Sequence, residues 1–233
     1  MVSGTVAASK TVIKERKRSY WNDVAKRFSR HKLAMIGLAV LVLEVVCVLA
    51  LPVLLGLDPY SMDPASGFGA PPSAAHILGT DEVGRDVFAR IIYGGRTSLF
   101  VGLISALISL AIGVPLGLFA GYYKGVAGVL VMRLADVFMS VPSMILVLVL
   151  VSVIGPSIQS VTIVIGIMGW PQFARQLYGN VLAVREKDYV QAAVAVGEKD
   201  RRIMMKYILP NAFAPVIIAF TFSIASAILQ ESS

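Results

Sequence analysis

The stretch "SLFVGLISALISLAIGVPLGLFAG", Ser98 to Gly121, carries no charged residue over 24 positions. A helix needs about 20 consecutive apolar residues to cross the hydrocarbon core of a bilayer, so this stretch predicts a transmembrane helix. The composition of the whole chain also indicates a membrane protein, because 57% of its residues are hydrophobic and only 15% are charged. Soluble domains carry about 25% charged residues. We therefore predict an all-α polytopic membrane protein.

Four further apolar stretches predict spans on either side of this one. The first covers residues 33–57, the third starts near Val129 and is most apolar over 137–154, the fourth covers about 158–173, and the fifth about 212–229. Gly169 and Pro171 predict a break in the fourth span, since proline removes a helical hydrogen bond. The chain ends on "AILQESS" without a basic anchor or turn signal, which predicts a truncated chain that lacks a sixth span.

The basic residues predict which side of the membrane each loop occupies. Nine Lys and Arg lie in the tail 1–32, seven in 175–206, and only three in the loop 58–97. Because positively charged loops stay inside, we expect a cytoplasmic tail, an extracytoplasmic loop at 58–97, and a core at 98–233. Part of the tail, residues 19–31, has the pattern of an amphipathic helix at the membrane surface. The net charge of +7 lies at the ends of spans, which argues against a nucleic-acid partner.

The sequence offers no set of residues for catalysis or for metal binding. It contains no GxxxxGK[ST] phosphate loop, so ATP is not expected to bind this chain in that way. The two histidines, His31 and His76, fall on opposite predicted sides of the membrane, which excludes a two-histidine metal site. The single cysteine, Cys47, lies within an apolar span. We predict no catalytic residue, no metal site and no cofactor of its own.

Three glycines share one face of the second span: Gly113, Gly117 and Gly121. Small residues four positions apart let another helix approach closely, either within the subunit or at a subunit interface. Glu44 is an ionisable group in the middle of the first span, and it either has a transport role or faces a polar interior or a neighbouring subunit. Arg133 and Asp136 are three residues apart on one helix face and are expected to pair.

The predicted outer loop contains "LGTDEVGRDVFARIIYGG" before the second span. Asp86 suits the N-cap of a short helix that Gly94 would end. Gly79, Thr80 and Asp81 are typical of a turn before that helix.

Ten charged residues surround a short run of alanines and valines in "REKDYVQAAVAVGEKDRRIMMKYILPN", Arg185 to Asn211. Asp188 is expected to cap a short helix that Gly197 ends. The small side chains of Ala192, Ala193 and Ala195 would let this helix enter a groove on another protein without burying a charge. A cytoplasmic helix-turn-helix with solvated charges is the alternative.

The motif "QAAVAVG", followed by "YILP", resembles the EAA signature of permease subunits in bacterial ABC importers. In that family the signature forms the coupling helix that docks on the ATPase subunit. "LGTDEVGRDVFARIIYGGRTSL" and "MRLADVFMSVPS" further resemble the second permease of the dipeptide, oligopeptide and nickel importers. Two positions depart from the pattern: Gln191 replaces the glutamate of the signature, and Tyr207 replaces an isoleucine.

The resemblance implies a type I ABC importer transmembrane domain in a bacterial inner membrane. A homologous permease, two ATPase subunits that bind ATP and Mg²⁺, and an extracytoplasmic substrate-binding protein are the implied partners. The coupling segment would be residues 186–210, with contacts to the ATPase at Asp188, Tyr189, Gln191, Ala192, Ala193 and Gly197. The loop motif, a weaker basis for contact with the binding protein or the partner permease, comprises Gly79, Thr80, Asp81, Gly84, Arg85 and Asp86.

Other functional classes stay open from the residues alone. A secondary transporter or channel would be expected to show paired internal repeats, and none is apparent apart from the predicted break in span four. A membrane scaffold without transport is a third possibility. Peptides are the first expected cargo, and nickel or a metal chelate the second.

Overall fold

The computed structural model describes residues 28–63 and 67–233, and within them almost all regular structure is helical. The helices are α1 (Lys32–Leu54), α2 (Val87–Tyr123), α3 (Gly125–Ser140), α4 (Ser143–Ile154), α5 (Ile158–Arg185), α6 (Asp188–Ala195), α7 (Asp200–Arg202), a π-helix (Ile203–Ile208), α8 (Leu209–Ala212) and α9 (Ala214–Glu231). The basic tail lies outside the described residues up to position 27, and so does most of the predicted amphipathic helix at 19–31. The all-α prediction is confirmed for the part of the chain described.

The centre of the fold is the pairing of α2 with α5. A methyl group added to Gly117 would lie 2.5 Å from the carbonyl oxygen of Ala174, and one added to Gly113 would lie 2.5 Å from that of Trp170. A methyl group added to Gly121 would lie 2.7 Å from the Cβ of Val181. The three glycines therefore pack within this chain, because only glycine allows the two backbones to approach this closely.

Two buried hydroxyl groups strengthen the same pair of helices. Ser105 donates a hydrogen bond to the carbonyl of Thr162 at 2.8 Å, and Ser109 donates one to that of Gly166 at 2.7 Å. Both serines are almost fully buried. Such interhelical bonds satisfy polar groups away from water, at about 1 kcal/mol each.

Helix α2 is longer than predicted, since the expected short helix at 87–94 and the second span form one helix of 37 residues. Asp86 is its N-cap, as predicted, but Gly94 does not end it. A glycine ends a helix when it adopts a positive φ, and neither Gly94 nor Gly95 does so. Gly95 instead gives space to α1, because an added methyl group would lie 3.1 Å from Val48.

Helix α5 also contradicts the prediction, because it runs unbroken through Gly169 and Pro171 for 28 residues. Gly169 serves close packing, since an added methyl group would lie 2.3 Å from the hydroxyl of Ser109. Pro171 is buried beside Trp170 and Phe173, which pack against α2 and its neighbours. Tertiary packing on both sides of the proline holds the helix continuous.

The break occurs instead in the predicted third span. Helices α3 and α4 are bent by 85° at Val141 and Pro142. Val141 has an extended backbone, with φ −100° and ψ 133°, as expected for a residue that precedes proline. The continuous apolar stretch 137–154 therefore does not form one straight helix.

Three described helices are long and apolar enough to cross a membrane by themselves: α1, α2 and α9, with mean hydropathies of 2.8, 2.4 and 1.5. The bent pair α3–α4 makes a fourth if it counts as one span. Helix α5 is less apolar, and it lies between α2, α3, α4 and α9, so neighbouring helices cover much of its surface. The count of five spans stays a prediction.

Candidate functional site

Two regions lie at opposite ends of α2: the long loop (residues 55–86) precedes the helix, and the charged segment (residues 186–212) contacts its last turn. At 1.5 Å per residue, a helix of this length separates them by about 55 Å. They contain all the site residues predicted from the sequence except the packing glycines.

Helix α6 begins the charged segment and ends as its sequence predicts. Gly197 has φ +77°, its N–H donates to the carbonyl of Val194 at 3.0 Å, and the N–H of Glu198 donates to that of Ala193 at 3.1 Å. These two bonds form the Schellman motif. The prediction for the start was wrong, because Lys187 occupies the N-cap and Asp188 is the first helical residue. Asp188 still places negative charge at the positive end of the helix dipole.

One face of α6 is anchored in the core. Val190 is fully buried and Ala193 is 8% exposed. Both belong to an apolar cluster with Leu177 of α5 and with Ile203 and Ile208 of the π-helix. Ala193 was predicted to contact a partner protein, but its side chain faces the chain's own core and is not free to do so.

The other face of α6 is exposed, and Asp188 is the one charged side chain of the helix. Tyr189 is 45% exposed and Val194 is 48% exposed, with Ala192 exposed between them. Gln191 is also exposed, and its amide donates to the carbonyl of Arg185 at 2.9 Å. The helix thus has one face held by its own chain and one small-residue face open to solvent.

A buried tyrosine joins the charged segment to α2. The hydroxyl of Tyr122 donates to a carboxylate oxygen of Asp200 at 2.7 Å, and the guanidinium of Arg185 lies 5.6 Å from the centre of the Tyr122 ring. Lys124 and Glu186 form a second link, with 2.7 Å between Nζ and Oε1. This ion pair lowers the pKa of Glu186. Sequence reasoning missed these contacts, because no local pattern relates residues more than 60 positions apart.

The π-helix at Ile203–Ile208 continues the segment towards α9. Its wider turn brings residues five positions apart to one side, and both Ile203 and Ile208 are buried. Pro210 lies inside α8, and α9, which corresponds to the predicted fifth span, begins at Ala214. Short helical pieces therefore connect α6 to α9 with few non-helical residues.

The long loop is folded by its own polar groups. Thr80 is 6% exposed, its hydroxyl accepts from the N–H of Ala70 at 2.9 Å, and it donates to the carbonyl of Gly67 at 2.9 Å. Gly79 has φ +78°, and a methyl group added to it would lie 2.2 Å from the carbonyl oxygen of Ala70. The prediction of a turn at positions 79–81 was wrong, because the turns lie on either side: the N–H of Gly79 donates to His76, and that of Gly84 donates to Asp81. Thr80 lies between them in a bridge with Asp86, and the close approach at position 79 still requires glycine.

Asp81 is the central acceptor of the loop. Its carboxylate accepts from the N–H groups of Val83 and Arg85, both at 2.9 Å, and from the side chains of Arg85 and Arg90. These donors, the backbone N–H of Arg85 first, lower the pKa of Asp81 to about 2. Gly84, with φ +79°, allows the chain to turn back towards Asp81.

Asp86 connects the loop to α2. One oxygen accepts from the N–H of Ala89 at 3.0 Å and caps the helix, while the other lies 2.9 Å from Nδ1 of His76. The second ring nitrogen of His76 lies 3.4 Å from Asp63. These two carboxylates raise the pKa of His76, the bond to Asp86 contributing most. The described residues contain no cluster suited to a metal ion.

The other ionisable residues singled out from the sequence, Arg133, Asp136 and Glu44, lie outside these two regions. Arg133 and Asp136 pair at 3.4 Å, as predicted, and Arg175 of α5 also binds Asp136, which the sequence did not reveal. Glu44 lies on an exposed part of α1.

Comparison with known proteins identifies the group to which this architecture belongs. The profile of the family described as "binding-protein-dependent transport system inner membrane component" matches residues 113–233, and that of the "N-terminal TM domain of oligopeptide transport permease C" matches residues 19–72. The structure resembles the MetNI methionine ABC transporter, with a TM-score of 0.54 over 60% of this chain and 71% of that chain. At 20% identity this likeness shows the fold alone.

Several curated relatives align with most of the chain. The dipeptide transport system permease protein DppC of Alkalihalophilus pseudofirmus is 36% identical over 92% of this chain and 70% of its own length. The oligopeptide transport system permease protein OppC of Bacillus subtilis is 35% identical over 94% and 72%. The glutathione transport system permease protein GsiD of Pectobacterium atrosepticum is 34% identical over 93% and 72%. The chain therefore belongs to the inner membrane components of binding-protein-dependent transport systems, as an ABC transporter permease of the DppC and OppC type.

Proposed function

We propose that this chain is a permease subunit that imports peptides, together with a homologous permease, two ATPase subunits and an extracytoplasmic binding protein. The names of the relatives, which specify dipeptide, oligopeptide and glutathione transport, support a peptide cargo. No feature of the described residues favours nickel or a metal chelate. ATP and Mg²⁺ belong to the ATPase subunits, and this chain contributes the membrane pathway.

The observation that carries the proposal is the two-sided surface of α6. Val190 and Ala193 hold the helix against α5 and the π-helix, while Tyr189, Ala192 and Val194 stay exposed. A short helix whose exposed side carries a single charged residue, Asp188, fits a groove on another protein, since few charges must be desolvated. This face, with Asp188, Gln191 and Gly197, is the proposed contact with the ATPase.

The mechanism follows from how α6 is attached. When ATP binding closes the ATPase subunits, a displacement of α6 passes to α5 and the π-helix through the buried side chains Val190, Ile203 and Ile208. It passes to α2 through Tyr122 and Asp200. Because the glycine contacts and the serine hydrogen bonds join α2 to α5, these helices move together and change which side of the membrane has access.

In this proposal the N-terminus and the charged segment lie in the cytoplasm, as the positions of the basic residues indicate. The long loop then faces the exterior. Its internal hydrogen bonds leave large apolar side chains exposed, with Tyr60 80%, Phe68 69% and Ile77 58% accessible. We assign the loop to contact with the binding protein or the partner permease, because it lies on the side of the membrane from which a binding protein would deliver substrate.

The test places a bulky charge on the exposed face of α6. In the assembled transporter in proteoliposomes, Ala192→Arg should abolish ATP-driven peptide uptake and weaken binding of the ATPase subunits, without loss of membrane insertion. Ala192→Ser, which keeps the side chain small, is the matched control and should transport normally. Normal uptake by Ala192→Arg would contradict docking. ATP-independent uptake by the chain alone would instead favour a secondary transporter.

A further inference from the structure

A hollow of about 310 Å³ lies beside the bend between α3 and α4. Helices α2, α5 and α9 border it. Ser105 and Ser109, near the middle of α2, and Gln172, near the middle of α5, are among its lining residues. In a membrane-spanning bundle this places the hollow near the middle of the bilayer. Its volume is at the lower end of the range for small-molecule sites, about 300 to 1,000 Å³.

The lining of the hollow is polar but uncharged. Helix α9 contributes Ser223, Ser226 and Gln230, which lie three and four positions apart on one face. Of the described residues, no Asp, Glu, Lys or Arg borders it. Polar side chains at this depth are costly in contact with lipid, so they are expected to face water or a polar ligand.

Most hydroxyl donors in the hollow already have partners. Ser105 and Ser109 donate to carbonyls of α5, and Ser223 and Ser226 donate to carbonyls of their own helix. Their oxygen atoms can still accept a hydrogen bond. The hydroxyls therefore offer acceptors rather than donors.

Gln172 is different, because it is exposed and makes no hydrogen bond to any residue that the structure describes. A carboxamide has two donor hydrogens and one acceptor oxygen. Gln230 donates to Ser143 over a long 3.4 Å, and its own carbonyl has no described partner. The unpaired groups of the hollow thus include amide donors and amide acceptors, beside the hydroxyl hydrogen of Ser143.

We propose that this hollow is a site where the permease binds the main chain of its peptide cargo, with Gln172 pairing with a backbone amide. A peptide bond presents one N–H donor and one carbonyl acceptor whatever the side chains, which matches a carboxamide. An uncharged lining neither attracts nor traps charged side chains, so peptides of varied sequence would pass. The inference rests on the proposed function, because it takes peptides as the cargo.

The experiment uses the assembled transporter with its ATPase subunits and binding protein, in proteoliposomes. In a Cys47→Ser background, the variant Gln172→Cys is treated with a water-soluble maleimide, with and without a dipeptide and ATP. We expect labelling at rest, and several-fold slower labelling during dipeptide transport. Gln176→Cys is the matched control, since Gln176 is exposed on the next turn of α5 but does not line the hollow. Its labelling should not change with peptide.

A second pair of variants measures transport directly. Gln172→Leu should slow dipeptide uptake several-fold when the binding protein is saturated, and Gln176→Leu should not. Equal labelling with and without peptide, a Gln172→Cys thiol that never reacts, or normal uptake by Gln172→Leu would overturn the site. Labelling that appears only without the partner permease would show that a helix of that subunit fills the hollow. If the unaltered transporter imports no peptide at all, the proposed function fails instead.

Discussion

The long loop and the charged segment both depend on glycines with positive φ, yet they are held in different ways. The loop is folded by hydrogen bonds among its own residues, centred on Thr80, Asp81 and Asp86. The charged segment is held by apolar side chains that it buries against other helices, above all Val190 and Ile208. The loop therefore depends on its own polar groups and on the first turns of α2, whereas the segment cannot move without displacing several helices of the bundle.

This difference matches the two tasks that we propose. A loop held by a network of hydrogen bonds suits a stable surface on which a binding protein docks. A segment anchored in the core suits transmission of a displacement from an ATPase to the transmembrane helices. Substitutions in the two regions should therefore have different consequences.

Ala193→Arg should destabilise the whole protein, because it places an unpaired charge in the apolar cluster around Val190 and Ile203. The expected loss is about 3 kcal/mol or more. The measurement is thermal unfolding in detergent, with Ala192→Arg as the matched control. The neighbouring Ala192 is exposed, so its arginine variant should unfold at nearly the normal temperature. Equal stability of the two variants would mean that α6 is not anchored through this face.

Tyr122→Phe should weaken the connection between α2 and the charged segment, because it removes the hydrogen bond to Asp200. Asp200 is exposed, so we expect a loss of about 1 kcal/mol. Assembly should persist, while the amount of peptide transported per ATP hydrolysed should fall. Tyr123→Phe is the control, since the exposed Tyr123 hydroxyl has no hydrogen bond among the described residues. If Tyr122→Phe transports the normal amount of peptide per ATP hydrolysed, this hydrogen bond does not transmit motion.

The smallest effect concerns pH and should be confined to the long loop. The pKa of His76 is raised by Asp86 and Asp63, so its protonated form stabilises the folded loop. This stabilisation is complete below the ordinary histidine pKa of about 6.5 and is lost as the pH rises through the raised value. Amide hydrogen exchange, corrected for its intrinsic pH dependence, should show the loop opening more readily at higher pH.

His76→Gln should remove that pH dependence, because glutamine does not titrate in this range. The charged segment contains no histidine and should show the same corrected exchange throughout. A pH-dependent change of equal size in both regions would contradict the idea that the two regions are held by different interactions.

The predictions that held depend on local chemistry. The 24-residue apolar run, the Asp86 cap and the Gly197 stop are each specified by residues that are near one another in sequence. The spacing of Gly113, Gly117 and Gly121 likewise predicts close helix packing, although it does not identify the partner helix.

The predictions that failed depend on tertiary contacts. Pro171 does not break α5, since its neighbours pack on α2, and the bend lies instead at Val141 and Pro142. The alanine run does not reveal that Ala193 faces inwards while Ala192 faces outwards, because adjacent alanines differ only in their position around the helix. The partner of Asp136 on another helix, Arg175, leaves no trace in the local sequence.

Cross-linking from the exposed face of α6 shows whether this helix contacts the ATPase. In the assembled transporter with Cys47→Ser, the variant Ala192→Cys is treated with a short thiol-to-amine cross-linker, and Ile77→Cys in the long loop is treated in parallel. We predict that position 192 cross-links to an ATPase subunit and that position 77 does not. A cross-link to the ATPase from position 77, with none from position 192, would contradict the account.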